Sequence, residues 1–377
     1  MRRIVFSVVC LVIALACLLT ARPARQLSST VLAASSTMNP ACIPPTTVAA
    51  NPEETAWRLF VAATCPVNNA QYPYIAWERW IEQNQLYGGS TGLAAFKAGG
   101  RPRFHMSPLA RFLQEQAKNA AVHPEQVLPQ SANQDCNKAT WSKRTICEEA
   151  RLNSVAQSYV TSNGLTTLDG QVKFILANKP FDFSKPSVEI KADWIQLTSC
   201  NNLPTGVHVE KVDTLCYALG GIHLISKLVD KWIWATFEPQ NASTNPQRCV
   251  VLGCKDRWGS TPATSSGTST QLSKSLAALM AAANLAQEWK NYRLDGVQVD
   301  FTDGKGNPTI LGNSIIEGDN AGNPTLMKSS SCITCHDLST INKAKGGEQP
   351  AFIVGPPASV PSGDVRRDFV WSLSLAQ

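Results

Sequence analysis

The chain has no second Cys-x-x-Cys and no basic block, and only five of its 377 residues are histidine. Each shortage removes a class of function. A structural zinc site needs further Cys or His ligands to complete a tetrahedral set, and a lone Cys-x-x-Cys does not provide them. The formal charge is +6, and removal of Arg2, Arg3 and Arg22 with a leader lowers it to +3. Nucleic acid is therefore not expected as a partner. The loop Asp303-Gly304-Lys305-Gly306-Asn307 lacks the remaining acidic positions of an EF-hand, so it reads as a hairpin turn before it reads as a calcium site. With 44% hydrophobic residues and ten tryptophans, the chain has ample material for a large core and is not disordered.

Against these shortages stands Cys332-Ile333-Thr334-Cys335-His336. With 12 Cys and 5 His in the chain, random placement yields roughly 0.005 such pentapeptides. Cys-x-x-Cys-His is the pattern of covalent haem attachment: two thiols form thioethers with the vinyl groups, and the adjacent imidazole comes beneath the iron. One covalent haem c is expected, held by Cys332 and Cys335 with His336 as proximal iron ligand. A thioredoxin-like dithiol belongs near the front of a βαβ unit, whereas this motif lies near the end of the chain in polar surroundings.

Arg2 and Arg3 precede an apolar run from Ile4 to Leu19, with small residues following at Ala24 and at Ala33-Ala34. Residues 1–24 read as a secretory signal peptide, with cleavage as late as 34 as the other site. Export together with the haem motif places the protein in a bacterial periplasm. Membrane association is expected only if the segment is retained or lipidated, as Ala14-Leu15-Ala16-Cys17 weakly suggests.

The expected fold is α+β: a helical N-terminal part, a central antiparallel sheet and a C-terminal haem-attachment segment packed on the body. Residues 35–258 are expected to form the body, and 259–377 a helix plus the haem segment. Asn51-Pro52-Glu53-Glu54 opens a helix through Trp57 and Phe60. Further helices are predicted over Tyr74–Gln85, from Ser107-Pro108, over Thr145–Tyr159 and over Leu272–Tyr292. Strands are predicted at Gln171–Ala177, Val188–Leu197, Val207–Val212, Cys216–Leu228 and Lys231–Glu238. Alternation places Trp232, Trp234 and Thr236 on one face and Ile233, Ala235 and Phe237 on the other.

Ala56-Trp57-Arg58-Leu59-Phe60-Val61-Ala62, Trp77-Glu78, Val188-Glu189-Ile190-Lys191-Ala192-Asp193-Trp194, Gly221-Ile222-His223-Leu224-Ile225-Ser226-Lys227, Trp232-Ile233-Trp234-Ala235-Thr236-Phe237-Glu238 and the haem motif follow one another in that order. In this the chain resembles exported bacterial proteins grouped as the cytochrome c family. The resemblance implies a single haem near the carboxyl end of a larger α+β body, and no settled activity. Small cytochromes c carry the motif near the amino end, whereas here only 41 residues follow His336.

The sixth ligand has several candidates. Met327 lies on the attachment side; Met280, Met106 beside His105, and His223 are freer to reach the opposite face. His223 is preferred, as distal ligand or hydrogen-bond donor. One-electron transfer to a redox partner protein or a small-molecule donor or acceptor is the expected function. The alternative is a haem-dependent oxidoreductase with an open iron position and His223, Lys227 or Glu238 as acid/base groups. The absence of a second haem motif excludes the exported dihaem peroxidases.

Without the leader and motif cysteines, eight remain: Cys42, Cys65, Cys136, Cys147, Cys200, Cys216, Cys249 and Cys254. Sequence order suggests the local pairs 42 with 65, 136 with 147, 200 with 216, and 249 with 254. Each bridge is worth about 2–4 kcal/mol through restriction of the unfolded chain. Alkylation of the unreduced mature protein followed by mass spectrometry is expected to leave most of the eight unlabelled. Six or more labelled residues would overturn the pairing and the oxidising compartment.

Overall fold

The computed structural model describes residues 38–67, 75–87, 137–138, 143–212, 214–240, 254–261, 271–320, 325–351, 353–357 and 359–376. Helix α1, Pro52–Thr64, begins where the sequence predicts it. The Asn51 side chain accepts from the Glu53 amide at 2.9 Å, with Pro52 in the first turn. Strand β1 (Ile81–Glu82), helix α2 (Gln83–Tyr87) and strand β2 (Asn137–Lys138) lead to β3 (Thr145–Leu152). Helices α3 (Ser154–Ser162) and α4 (Leu168–Leu176) precede β4 (Val188–Gln196), β5 (Val209–Val212), β6 (Leu215–Ser226) and β7 (Ile233–Pro239). The short strands β8 (Ser260–Thr261) and β9 (Gln271–Leu272) pair with each other ahead of α5, Lys274–Ala282. Then come β10 (Tyr292–Gln298), a π-helical turn over Ser314–Asn320, helix α6 (Cys332–Asp337), and the paired strands β11 (Thr340–Ile341) and β12 (Val365–Arg366).

The fold is mixed α+β around a central antiparallel sheet. Its strands run β1-β3-β4-β6-β7-β10, with β2 added to β3 and β5 to β6. Strand β10 lies beyond residue 259 yet pairs with β7 in this sheet, and residues 39–377 form one unit.

Several predicted elements change type. Thr145–Leu152 is a strand, although Glu148, Glu149, Ala150 and Arg151 favour helix. Pairing with β4 overrides that propensity, and the two-residue period brings Glu149 and Arg151 together at 2.6 Å. The helix starts only at Asn153, which caps it by accepting from the Ala156 amide at 3.0 Å. Gln171–Ala177 belongs to helix α4: Gln171, Phe174 and Ile175 are buried at helical spacing, and Thr167 caps the first turn. The expected long helix over Leu272–Tyr292 stops at Ala282, where Asn284 takes positive φ, and a 3-10 turn follows at Gln287–Asn291. Tyr74–Gln85 breaks into a 3-10 turn at Trp77–Arg79, β1 and the start of α2. The helix predicted from Ser107-Pro108 lies outside the described residues. Asp303 accepts from the amides of Lys305 and Asn307 and from the Asn307 side chain, so the Asp303 loop is a hydrogen-bonded turn.

The two faces of the sheet differ in chemistry. One packs Ile190, Ala192, Ile222, Leu224, Ile233, Ala235 and Phe237 against α1 and α5, with Trp57, Phe60, Trp289 and Met280 completing that core. The Phe237 ring lies 4.5 Å from Phe60 and 5.0 Å from Trp57. The opposite face presents Glu148, Glu189, Lys191, His223, Trp234, Thr236, Glu238 and Gln298. The register aligns Ala150, Lys191, His223 and Thr236 across four strands. The carboxyl-terminal segment covers this polar face and bonds several of its groups. Asn313 donates to Thr236 at 2.7 Å, Ser314 donates to Glu238 through amide and hydroxyl at 2.5 Å, and Gln298 donates to Ser331 at 2.9 Å.

Of the predicted disulfides, Cys42–Cys65 and Cys200–Cys216 are present. Cys147 and Cys254 are also disulfide-bonded; their expected partners, 136 and 249, lie outside the described residues.

Glu189 ties the tail to the sheet by accepting from the Ser372 hydroxyl at 3.0 Å. Burial raises its carboxyl from the ordinary 4.5 to about 7, against the opposing hydrogen bond from Ser372. A carboxyl with a raised folded pKa holds its proton more tightly than the unfolded chain does. Its contribution is thus fully present below about pH 4.5 and is lost as pH rises through about 7. Between pH 5 and 8 the wild type is expected to lose about 2–3 kcal/mol relative to Glu189→Gln, measured by urea unfolding at each pH. Parallel pH profiles for the two proteins would refute the assignment.

Candidate functional site

Helix α6 places the motif on the polar face of the sheet. Residues 332, 335 and 336 are one turn apart, so their side chains share one helix face. Three anchors fix the turn beneath them. The Ile333 amide meets Gln298 Oε1 at 3.3 Å, Thr334 donates to the Gly355 carbonyl at 2.7 Å, and the Trp371 indole donates to the Cys335 carbonyl at 3.1 Å. Cys332 contacts the Leu311 carbonyl at 3.5 Å, and Leu311 bridges to Ser331 in parallel.

The His336 ring is oriented from both sides. Its Nδ1 lies 2.7 Å from the Phe369 carbonyl oxygen, and its ring packs on Trp234 with centroids 4.5 Å apart. A carbonyl oxygen only accepts, so Nδ1 carries the proton and Nε2 keeps its lone pair. Burial lowers the ring's pKa to about 3, opposed by the Phe369 bond, and the imidazole is neutral at physiological pH. A neutral imidazole with one nitrogen held by a backbone carbonyl is the form that ligates metals.

Cys332 and Cys335 are both unpaired. Burial drives the Cys332 thiol well above its usual range and pushes Cys335 up to about 11. Reactive dithiols show the opposite shift, towards the thiolate. Two protonated thiols thus stand beside one neutral imidazole, an arrangement that disfavours disulfide exchange.

His223 is buried on the same sheet face, with Nε2 3.3 Å from Glu317 Oε2 on the π-helical turn but out of line for a hydrogen bond. Lys191, its register partner, bonds Glu148 at 2.8 Å. Lys191, His223 and Glu317 lie near enough for their charges to act on His336. Burial works against ionisation of Glu317, but His223 and Lys191 outweigh it and hold the carboxyl below its ordinary range. Gly221 makes this packing possible, because a Cβ there would stand 2.6 Å from Asn313 Oδ1.

Other predicted groups are placed elsewhere. Met280 is fully buried in the opposite core, against α1, away from the sheet face that carries His223. Met327 packs beside Gly318 on the motif side of the sheet, and Met106 with His105 lies outside the described residues. Lys227 is bound to Asp368 at 2.6 Å and to Asp182 at 3.1 Å, which fixes the tail next to Phe369. Glu238 holds Ser314. Both hold the carboxyl-terminal segment on the sheet.

Sequence reading passed over Phe369, Trp371, Glu317 and the ring contact of Trp234. Phe369 acts through its carbonyl, which no sequence pattern marks. Trp234 was assignable to a face but not to a neighbour.

Comparison with protein-family models, curated proteins and solved structures finds no match.

In folded chain Cys335 is expected to alkylate at pH 8 about a hundredfold more slowly than in urea-unfolded chain, and Cys332 also more slowly, since reaction follows the thiolate fraction. Equal rates would show that the thiols are not buried on the sheet.

Proposed function

We propose that the protein is a c-type haem protein of the bacterial periplasm that carries one covalent haem and transfers single electrons. The observation that carries this reading is the His336 imidazole, neutral and held by its Nδ1 on the Phe369 carbonyl, beside two unpaired thiols on one helix face. Cys332 and Cys335 would hold the haem through thioethers, and His336 Nε2 would be the proximal ligand. Bound there, the haem iron supplies a one-electron couple whose potential is set by its ligands and surroundings.

The protein's own residues do the rest. Phe369 and Trp234 fix the imidazole plane, and Thr334, Gln298 and Trp371 fix the helix turn. Cys335 and His336 remain partly exposed. Ile353 and Val354, 38% and 37% exposed, lie between Ala351, whose backbone bonds Cys335, and Gly355, which accepts from Thr334. An apolar rim beside a partly open attachment helix suits a haem edge facing a redox partner. The resemblance to the exported cytochrome c family supports the same reading.

The buried His223–Glu317 pair, close to His336 on the motif side of the sheet, favours a second reading in which His223 serves the distal side of the iron and small ligands bind there.

Haem-stained denaturing electrophoresis is expected to show one covalent haem per chain, lost in Cys332→Ala/Cys335→Ala; staining that persists in the double variant refutes attachment. Spectra with and without carbon monoxide separate the two readings. His223→Ala is expected to convert a low-spin spectrum to high-spin. If spin is unchanged and carbon monoxide binds more weakly, His223 is a distal donor; if spectrum, potential and affinity are all unaltered, it belongs to the sheet packing.

A further inference from the structure

On the sheet's other face, three carboxylates converge on one histidine. His208 precedes β5 and Glu210 lies two residues on, so both side chains point the same way. Glu78 comes from the 3-10 turn Trp77–Arg79 and Glu288 from the turn before β10. His208 Nε2 is 3.2 Å from Glu78 Oε1 and 3.2 Å from Glu210 Oε1, while Nδ1 is 4.0 Å from Glu288 Oε1. The ring lies between Trp289, 4.5 Å away, and Trp194, 5.8 Å away. Its backbone is pinned by Leu219, whose amide donates to the His208 carbonyl at 2.9 Å. The second oxygen of buried Glu78 accepts from the Ile75 amide at 3.3 Å.

We propose that Glu78, His208 and Glu210 form a binding site for one divalent cation of the zinc type, with Glu288 as the outer partner of the imidazole.

The geometry suits a cation, since one ligand atom from each of Glu78, His208 and Glu210 lies within 4.8 Å of the others. A ring nitrogen carries one proton and makes one linear hydrogen bond, yet two carboxylate oxygens stand at the same distance from Nε2. A cation bound by all three groups serves them together. The spacing also fits: donors about 2.1 Å from a common ion lie about 3.0–3.4 Å apart in octahedral or tetrahedral arrangements, and the two edges from Nε2 are 3.2 Å. A metal-ligating imidazole commonly presents its other nitrogen to a carboxylate, the position Glu288 takes. The tryptophans fix the ring plane, as an outer shell does at a built metal site.

Without a cation the site holds a proton. Burial disfavours the charged ring, but hydrogen bonds to Glu210, Glu288 and Glu78 outweigh it and raise the ring to about 10. The titratable groups that face His208 are those three carboxylates; the Tyr292 hydroxyl meets its backbone amide at 3.3 Å.

The test is calorimetric titration of EDTA-treated protein with zinc chloride. One ion per chain is expected. His208→Gln should abolish binding at this stoichiometry, and Glu288→Gln should weaken it about ten- to a hundredfold. Glu210→Gln, whose position is one-fifth exposed, should weaken binding while unfolding like wild type, which separates loss of a ligand from loss of the fold. The site is refuted if zinc does not bind, or if wild type, His208→Gln and Glu210→Gln bind it equally. Haem staining is read on the same samples and is independent of the result.

Discussion

The organising constraint of this fold is a sheet with one apolar and one polar face, both buried. An apolar face is covered by any well-shaped hydrophobic layer, and α1 and α5 do this through Trp57, Phe60 and Met280. The polar face demands more, because each buried donor, acceptor or charge left unpaired costs about 1–3 kcal/mol. The covering layer must supply complementary groups at matching positions. That requirement fixes the path of the carboxyl-terminal segment: Asn313 over Thr236, Ser314 over Glu238, Ser331 over Gln298 and Ser372 over Glu189.

The position of the Cys332–His336 motif follows from this pinning. The six residues of α6 form too short a helix to be stable alone. It holds its place because Ile333 and Thr334 are tied on one side while Trp371 ties Cys335 on the other. The tail that carries Phe369 is in turn clamped by the Lys227–Asp368 pair, and Asp368 also accepts from the Phe183 amide at 2.7 Å. The orientation of one imidazole thus depends on a chain of buried polar contacts running back to β6 and the loop before β4. Buried ion pairs of this kind are weak sources of net stability but costly to break singly. Here they serve to set geometry.

The same logic separates the two histidine clusters. His336 is buried, with a single carbonyl partner on its ring and an aromatic support, and burial keeps it uncharged. His208 is surrounded by carboxylates, which favour the charged ring. Both rings lie against tryptophan, so aromatic contact alone does not distinguish them; the groups that meet the ring nitrogens do.

The sequence by itself determined the helix start at Asn51, the strand segments from Val188 to Glu238 with their alternation, and the local disulfides Cys42–Cys65 and Cys200–Cys216. Each is written in residues near one another, where capping chemistry, period and thiol spacing act directly. Tertiary structure decided what those rules leave open. Thr145–Leu152 became a strand because β4 was available to pair with it, and Gln171–Ala177 a helix because its buried residues recur at helical spacing against the tail. Which sheet face receives the motif was decided by the distribution of buried charge across four strands, a pattern visible only once register is known. Partnerships such as His336 with Phe369 and His208 with Glu78 join residues 33 and 130 positions apart. No local propensity encodes such contacts; they exist because burial forces polar groups from distant segments to satisfy one another.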